Sequence, residues 1–415
     1  MKRLRLCPLR SLRCLCQTRQ THQTRQTRRA GGFSLVELMV SVVIGMLALM
    51  FATRLFSGAE QNRQAALGGS DAMQNGMLAM FSISNDAAQA GYGLNDPIIA
   101  GCDTILSDTN GYVLAPASRG GLAISPLAAA VIESNGADPD RISLYSASSM
   151  SGTGTLRNTT TTIPGADLVV DRVPYGFARN DVIVIAPENN IGKCALAQIS
   201  SDPSALPLPP VDQKLTVAPI AGTRFNRASL GATFQGGITR LFNLGPARSL
   251  NFHTWSVAGG FLQLRATDLD GASAAPSTVV DNIVSIKAQY GFDTRAGVAF
   301  DPQAGMQVGV WSPGMIDADG DGSVGGAADY QRITALRIAV VARSKAPQRP
   351  APGAACSATS ALPQVFASAA PAGVAAVPVA VNVAVAGDPV DWKCYRYRVF
   401  ETVVPLRNSA WRPTA

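Results

Sequence analysis

Histidine is nearly missing: His22 and His253 are the only two in 415 residues. A HExxH zinc site needs two histidines one helical turn apart, so His253 cannot build one alone. In its strand-like run it reads as a packed or exposed side chain. No G-x-S-x-G elbow occurs, and no Walker A motif, since Gly192-Lys193 runs into Cys194 rather than a hydroxyl residue. Asp138/Asp140 and Asp268/Asp270 stand beside turns and read as turn formers, not catalytic dyads. No catalytic residues are assigned, and the chain is expected not to be an enzyme. Charged residues are also few, at 15%, while apolar residues reach 47%, which excludes a disordered chain and allows a large packed core.

Acidic residues are absent from positions 1–32, which hold nine of the chain's 35 lysines and arginines. Without that leader, 26 basic residues face 28 acidic ones, a net charge of −2 in place of +7. The basic balance therefore belongs to the leader, and nucleic acid is not expected as a partner of the remainder. Cysteines divide likewise. Cys7, Cys14 and Cys16 lie in the leader; Cys102, Cys194, Cys356 and Cys394 lie downstream. In an exported domain these four fit two disulfides, with three possible pairings. The shorter closures are Cys102 with Cys194 and Cys356 with Cys394; free buried thiols are the alternative.

Positions 28–51 read RRAGGFSLVELMVSVVIGMLALMF. Residues 33–51 contain one charge, Glu37, and as a helix would span about 28 Å, one hydrocarbon core. Arg54 follows. The basic residues before the span predict the leader inside and the head outside. An ordinary secretory signal is cut after its apolar run; here Gly31-Gly32 precedes it, so cutting there removes only the leader. This arrangement resembles the type IV pilin signal, with Gly32 at the cut, Phe33 as the new N-terminus and Glu37 as its fifth residue. The resemblance implies cleavage by a prepilin peptidase, N-methylation of Phe33, and pairing of Glu37 with the N-terminal amine of a neighbouring subunit. A glutamate that snorkels from a plain anchor is the bland alternative. The implied location is the bacterial inner membrane, single-pass with a periplasmic head, and then the pilus.

Beyond the span, Met73, Met77, Met80 and Phe81 recur at helical spacing beside Leu78. They predict a helix that continues, or resumes after Gly68-Gly69, with this stripe on the head. Short β-type runs follow at 141–145, 181–186, 250–257, 261–266 and 279–292. Residues 333–343 (ITALRIAVVAR) and 395–404 (YRYRVFETVV) alternate as half-buried antiparallel strands do, with Arg337 outward in the first. Residues 346–390, rich in Ala, Pro and Val, read as a loop excursion between Cys356 and Cys394. Asn158-Thr-Thr matches a glycosylation sequon to which no role is attached. Asp317, Asp319, Asp321 and Ser323, with Asp329 after them, resemble the start of a calcium loop, although the twelfth position holds Ala328. An Asx-rich turn is the alternative reading.

Asp86, Ala90, Gly91, Tyr92 and Gly93 resemble a D-x-x-x-A-G-Y segment of PilW-type minor pilins. The strands at 333–343 and 395–404 are similar to that family's terminal pair. The expected fold is therefore α+β: leader 1–32, transmembrane helix 33–54, amphipathic continuation 55–93, and a β-rich antiparallel head 94–415. The resemblance implies a minor pilin that helps prime type IV pilus assembly near the tip. Its implied partners are other minor pilins, the major pilin and a PilY-type adhesin. The alternatives are a type II secretion pseudopilin and, from other classes, a membrane-anchored periplasmic enzyme or a DNA receptor.

Overall fold

A computed structural model of the chain describes residues 34–148, 155–162, 167–203, 213–350 and 353–410. One α-helix runs from Leu35 to Gln89 without proline and continues through Gly68-Gly69. Two compact units divide the chain at Glu60/Gln61. In the first, Leu35–Glu60 is a helix apolar and long enough to cross a membrane, and none of that span is buried in protein. From Leu35 to Phe51 its side chains are apolar all round except for Glu37 and Ser41, a composition that lipid would tolerate.

The second unit carries the rest of the helix and the head. Here the packed face differs from the methionine stripe expected. Ala72, Gly76, Ala79, Ile83, Ala87 and Ala90 are buried, whereas Met73, Met77, Leu78 and Phe81 are exposed and Met80 is only partly covered. The reason is close approach. The Phe400 ring lies where a Cβ on Gly76 would stand, within 2.0 Å. Small residues let the sheet come that near, and the larger side chains are left on the opposite face.

Among the described residues, three larger sheets and three two-stranded ones make the head, giving the α+β, pilin-like class expected. The C-terminal sheet is antiparallel, in the order Val310–Ser312, Ile283–Phe292, Ile333–Arg343, Tyr397–Pro405. A second sheet runs Ser277–Asp281, Phe261–Ala266, Asn251–Ala258, Arg141–Ser146, Ala130–Glu133. The third has six strands, with Cys194–Gln198 and Asp181–Pro187 at its centre. It has its own core on one face, formed by Leu156, Phe177, Ile183, Ile185 and Leu241 among others.

The run 279–292 is not one strand. Asn282 takes a positive φ of 58° and divides it between two sheets. Asparagine tolerates this conformation better than most residues. The strand Ile333–Arg343 is not half-buried either. Every residue from Ala335 to Ala342 is buried, Arg337 included. The helix side is one cover. The excursion is the other: Val365, Phe366, Val381 and Val383 pack on Val284, Ala339 and Val341. The guanidinium of Arg337 is paired with Glu401 Oε2 at 3.0 Å, donates to Ser368 O at 2.9 Å, and lies over the Phe366 ring. Glu401 Oε1 accepts the Phe366 N–H.

Candidate functional site

Glu37 stands in the first turn of the long helix, where a carboxylate complements the helix dipole. Ser34, Val36, Val40, Ser41 and Ile44 surround it on one exposed helix surface. The Ser41 hydroxyl donates to Glu37 O, which satisfies that polar group inside the apolar span. Gly32 and Phe33 lie outside the described residues. Glu37 is the one charge between Ser34 and Phe51, and this stretch of the helix is exposed throughout.

At the other end of the helix, the segment 86–93 is the joint to the head. Asp86 Oδ2 accepts from Trp255 Nε1 at 2.8 Å and lies 2.8 Å from His253 Nδ1. His253 Nε2 lies 2.7 Å from Asp268 Oδ1. Burial disfavours the charged imidazole, but Asp268 and Asp86 outweigh burial and raise its pKa to about 9. Ala90 is buried, and Gly91 and Gly93 have positive φ values of 83° and 71°. The Gly91 N–H donates to Tyr145 O, and Tyr92 O accepts the Ala147 N–H. A Cβ on Gly93 would meet Ala147 at 2.6 Å. These contacts explain why Asp, Ala and Gly occupy these places. Nothing in the sequence links His253 and Trp255 to Asp86, from which 167 and 169 residues separate them.

The aspartate loop forms a chain of Asx turns. Asp317 accepts the N–H groups of Gly320 and Gly322; Asp319 accepts that of Asp321; Asp321 accepts that of Ser323. One oxygen from each aspartate lies within 4.8 Å of the others, so the three can converge on a hard cation. Asp329 does not join them. It is fully buried and accepts four backbone N–H bonds, from Ala318, Asp319, Gly325 and Gly326. Four donors fill about four lone-pair sites, leaving none for a cation. Burial holds the Asp329 carboxyl above the ordinary range. Its place as a ligand is therefore corrected: it organises the loop and caps the short helix Ala327–Gln331.

Disulfides join Cys102 to Cys194 and Cys356 to Cys394. The first ties two adjacent parallel strands, and the second closes the excursion near the start of the terminal strand. Asp140 is not merely a turn former; it is buried and ion-paired with buried Lys287. Asn158 is buried, with its amide donating to Thr160 O, so the folded chain does not present that sequon.

Two families match. The prokaryotic N-terminal methylation motif matches residues 27–53, across the expected cut and Glu37. Type IV Pilus-assembly protein W matches residues 256–408. The chain matches a PilW-type minor pilin. No curated protein and no solved structure matches. The PilW match covers the whole C-terminal sheet, the excursion and Asp317–Asp321, but neither the 86–93 joint nor the six-stranded sheet. Together with the N-terminal apolar helix, these matches support membrane anchoring and association with a type IV pilus.

Proposed function

We propose that this PilW-type chain is a minor pilin that primes pilus assembly from the inner membrane and stays near the pilus tip. The leader lies in the cytoplasm, the head lies in the periplasm, and prepilin peptidase cuts between Gly32 and Phe33. The observation that carries the reading is the pairing of a methylation motif around Glu37 with a PilW-type sheet in one chain. A subunit with a fully apolar first helix and one carboxylate can pack laterally with like helices. Its partners are then other minor pilins, the major pilin and a tip adhesin of PilY type. Deletion of the chain is expected to remove most surface pili while leaving major pilin in the membrane, as measured on sheared pili by immunoblot. Normal piliation with a defect in protein secretion would instead make it a type II secretion pseudopilin.

A further inference from the structure

The terminal strand Tyr397–Pro405 is the last strand of the C-terminal sheet and, among the described residues, pairs only with Ile333–Arg343. Its orientation follows from its two ends. Arg396 O accepts from Ser344 N, and Leu406 N donates to Thr334 O, so these even-numbered residues turn their backbone groups toward the inner neighbour. Antiparallel ladders alternate. Tyr397, Val399, Glu401 and Val403 therefore turn their N–H and C=O groups outward. These groups have no ladder partner among the described residues. The side chains are correspondingly open: Arg398, Val399, Glu401, Val403 and Pro405 are exposed, whereas the neighbouring strand is buried from Ala335 to Ala342. A long uncovered edge is a template for pairing with another strand.

Chemistry beside the edge states what it would take. A groove of about 650 Å3 separates the start of this strand from the helix surface at Gly68, Gly69 and Ser70. Arg396 and Arg398 line it, and neither has an acidic partner among the described residues. The glycines leave the helix wall bare, and Met73 extends it as an apolar surface. On the opposite face of the strand, Val399 and Val403 stay partly exposed. A second copy of the same strand does not fit. In an antiparallel pair, opposed residues share a face, and Arg396 and Arg398 share theirs with Phe400, Thr402 and Val404. The strand's only acid, Glu401, is on the other face and already held by Arg337.

We propose that this edge docks one extended segment of another pilus subunit. That segment adds as a strand to the C-terminal sheet, with carboxylates against Arg396 and Arg398 and apolar side chains against Val399 and Val403. The proposal rests on the pilus reading above and names the contact through which the head would engage its partner. Main-chain bonds give such augmentation its affinity, and side-chain pairs give it specificity.

The test uses the full chain in cells, with p-benzoylphenylalanine at position 403. The expected product is a photo-adduct with another pilus subunit, mapped by mass spectrometry to a segment carrying acidic residues. Arg396→Glu with Arg398→Glu should lower its yield on the order of tenfold. Val399→Pro should do the same. It removes an outward N–H and leaves the inner ladder intact, as proline at a sheet edge can. An adduct with a second copy only, or no adduct from a chain recovered in pili with both disulfides formed, would overturn the proposal. An adduct with a pilus subunit in cells whose piliation does not need this chain would uphold the docking edge and overturn the priming role.

Discussion

His253 lies between two carboxylates from different parts of the chain, and its charge is what holds them together. Its folded pKa of about 9 exceeds the ordinary value of 6.5. A raised pKa means that the folded state holds the proton more tightly. Its contribution is therefore fully present below about pH 6.5 and is lost as the pH rises through about 9. The shift corresponds to roughly 3 kcal/mol. Asp268, whose pKa is lowered by the same contact against its burial, contributes above the ordinary carboxylate range and loses that contribution in acid. Full-length protein in detergent should thus melt several degrees above His253→Gln at pH 7, with the gap shrinking toward pH 10. An equal gap at both pH values would mean that packing, not charge, makes the joint. Glu37 poses the same problem inside the membrane. Stranding one member of a buried charge pair costs roughly 3–5 kcal/mol. Glu37→Ala should still be cut and should stay in the membrane, since the peptidase acts at Gly32. It should be depleted from sheared pili in an immunoblot, and normal incorporation would leave Glu37 a tolerated interfacial charge.

A buried cation helps the disulfide and the apolar contacts to hold the excursion between the last two long strands. Arg337 is almost wholly buried, and Glu401, Ser368 and Phe366 are its partners. Glu401→Ala would leave it unpaired. Because Glu401 is itself partly exposed, the loss should fall near the lower end of the range for a broken buried pair, about 3 kcal/mol by denaturant unfolding. Arg337→Met combined with Glu401→Leu should recover much of that, and failure to recover would place the stabilisation elsewhere. The same residue shows where reading the sequence fails. β-type runs between turn residues located most long strands to within a residue or two but missed Thr239–Pro246, and the long helix Leu35–Gln89 was legible. An arginine in an alternating strand signals solvent unless its partner is known, and Glu401 is 64 residues away. Methionines signalled the buried helix face by bulk, whereas the sheet selected alanine and glycine for close approach. The aspartate spacing was visible, but not that Asp329 would be engaged by four amides. If Asp317, Asp319 and Asp321 bind calcium, a chelator should lower the melting temperature of the full chain, and Asp319→Ala should remove that difference. Identical melting with and without chelator leaves a chain of Asx turns.

At the scale of the molecule, the proposed function accounts for the charge asymmetry of the sequence by a temporary leader. On the proposed topology, the nine cations ahead of the apolar span would hold the N-terminus on the cytoplasmic side. Helices packed side by side in a filament could not keep them, because each helix offers one carboxylate, Glu37, within the span. The proposed cleavage after Gly32 would leave one new amine at Phe33 and restore a one-to-one balance with that carboxylate. It would also convert a chain of net charge +7 into one of −2. The mature protein should therefore focus well below the precursor's isoelectric point of about 9.2. N-terminal mass analysis should find N-methylated Phe33 first, and a strain lacking the peptidase should accumulate the basic form in the membrane. Gly32→Ala should behave like the peptidase-deficient strain, with the unprocessed chain missing from sheared pili. A mature terminus beyond residue 51 would make this an ordinary secreted protein without a retained helix, and neither the role of Glu37 nor a place in a filament would survive that result.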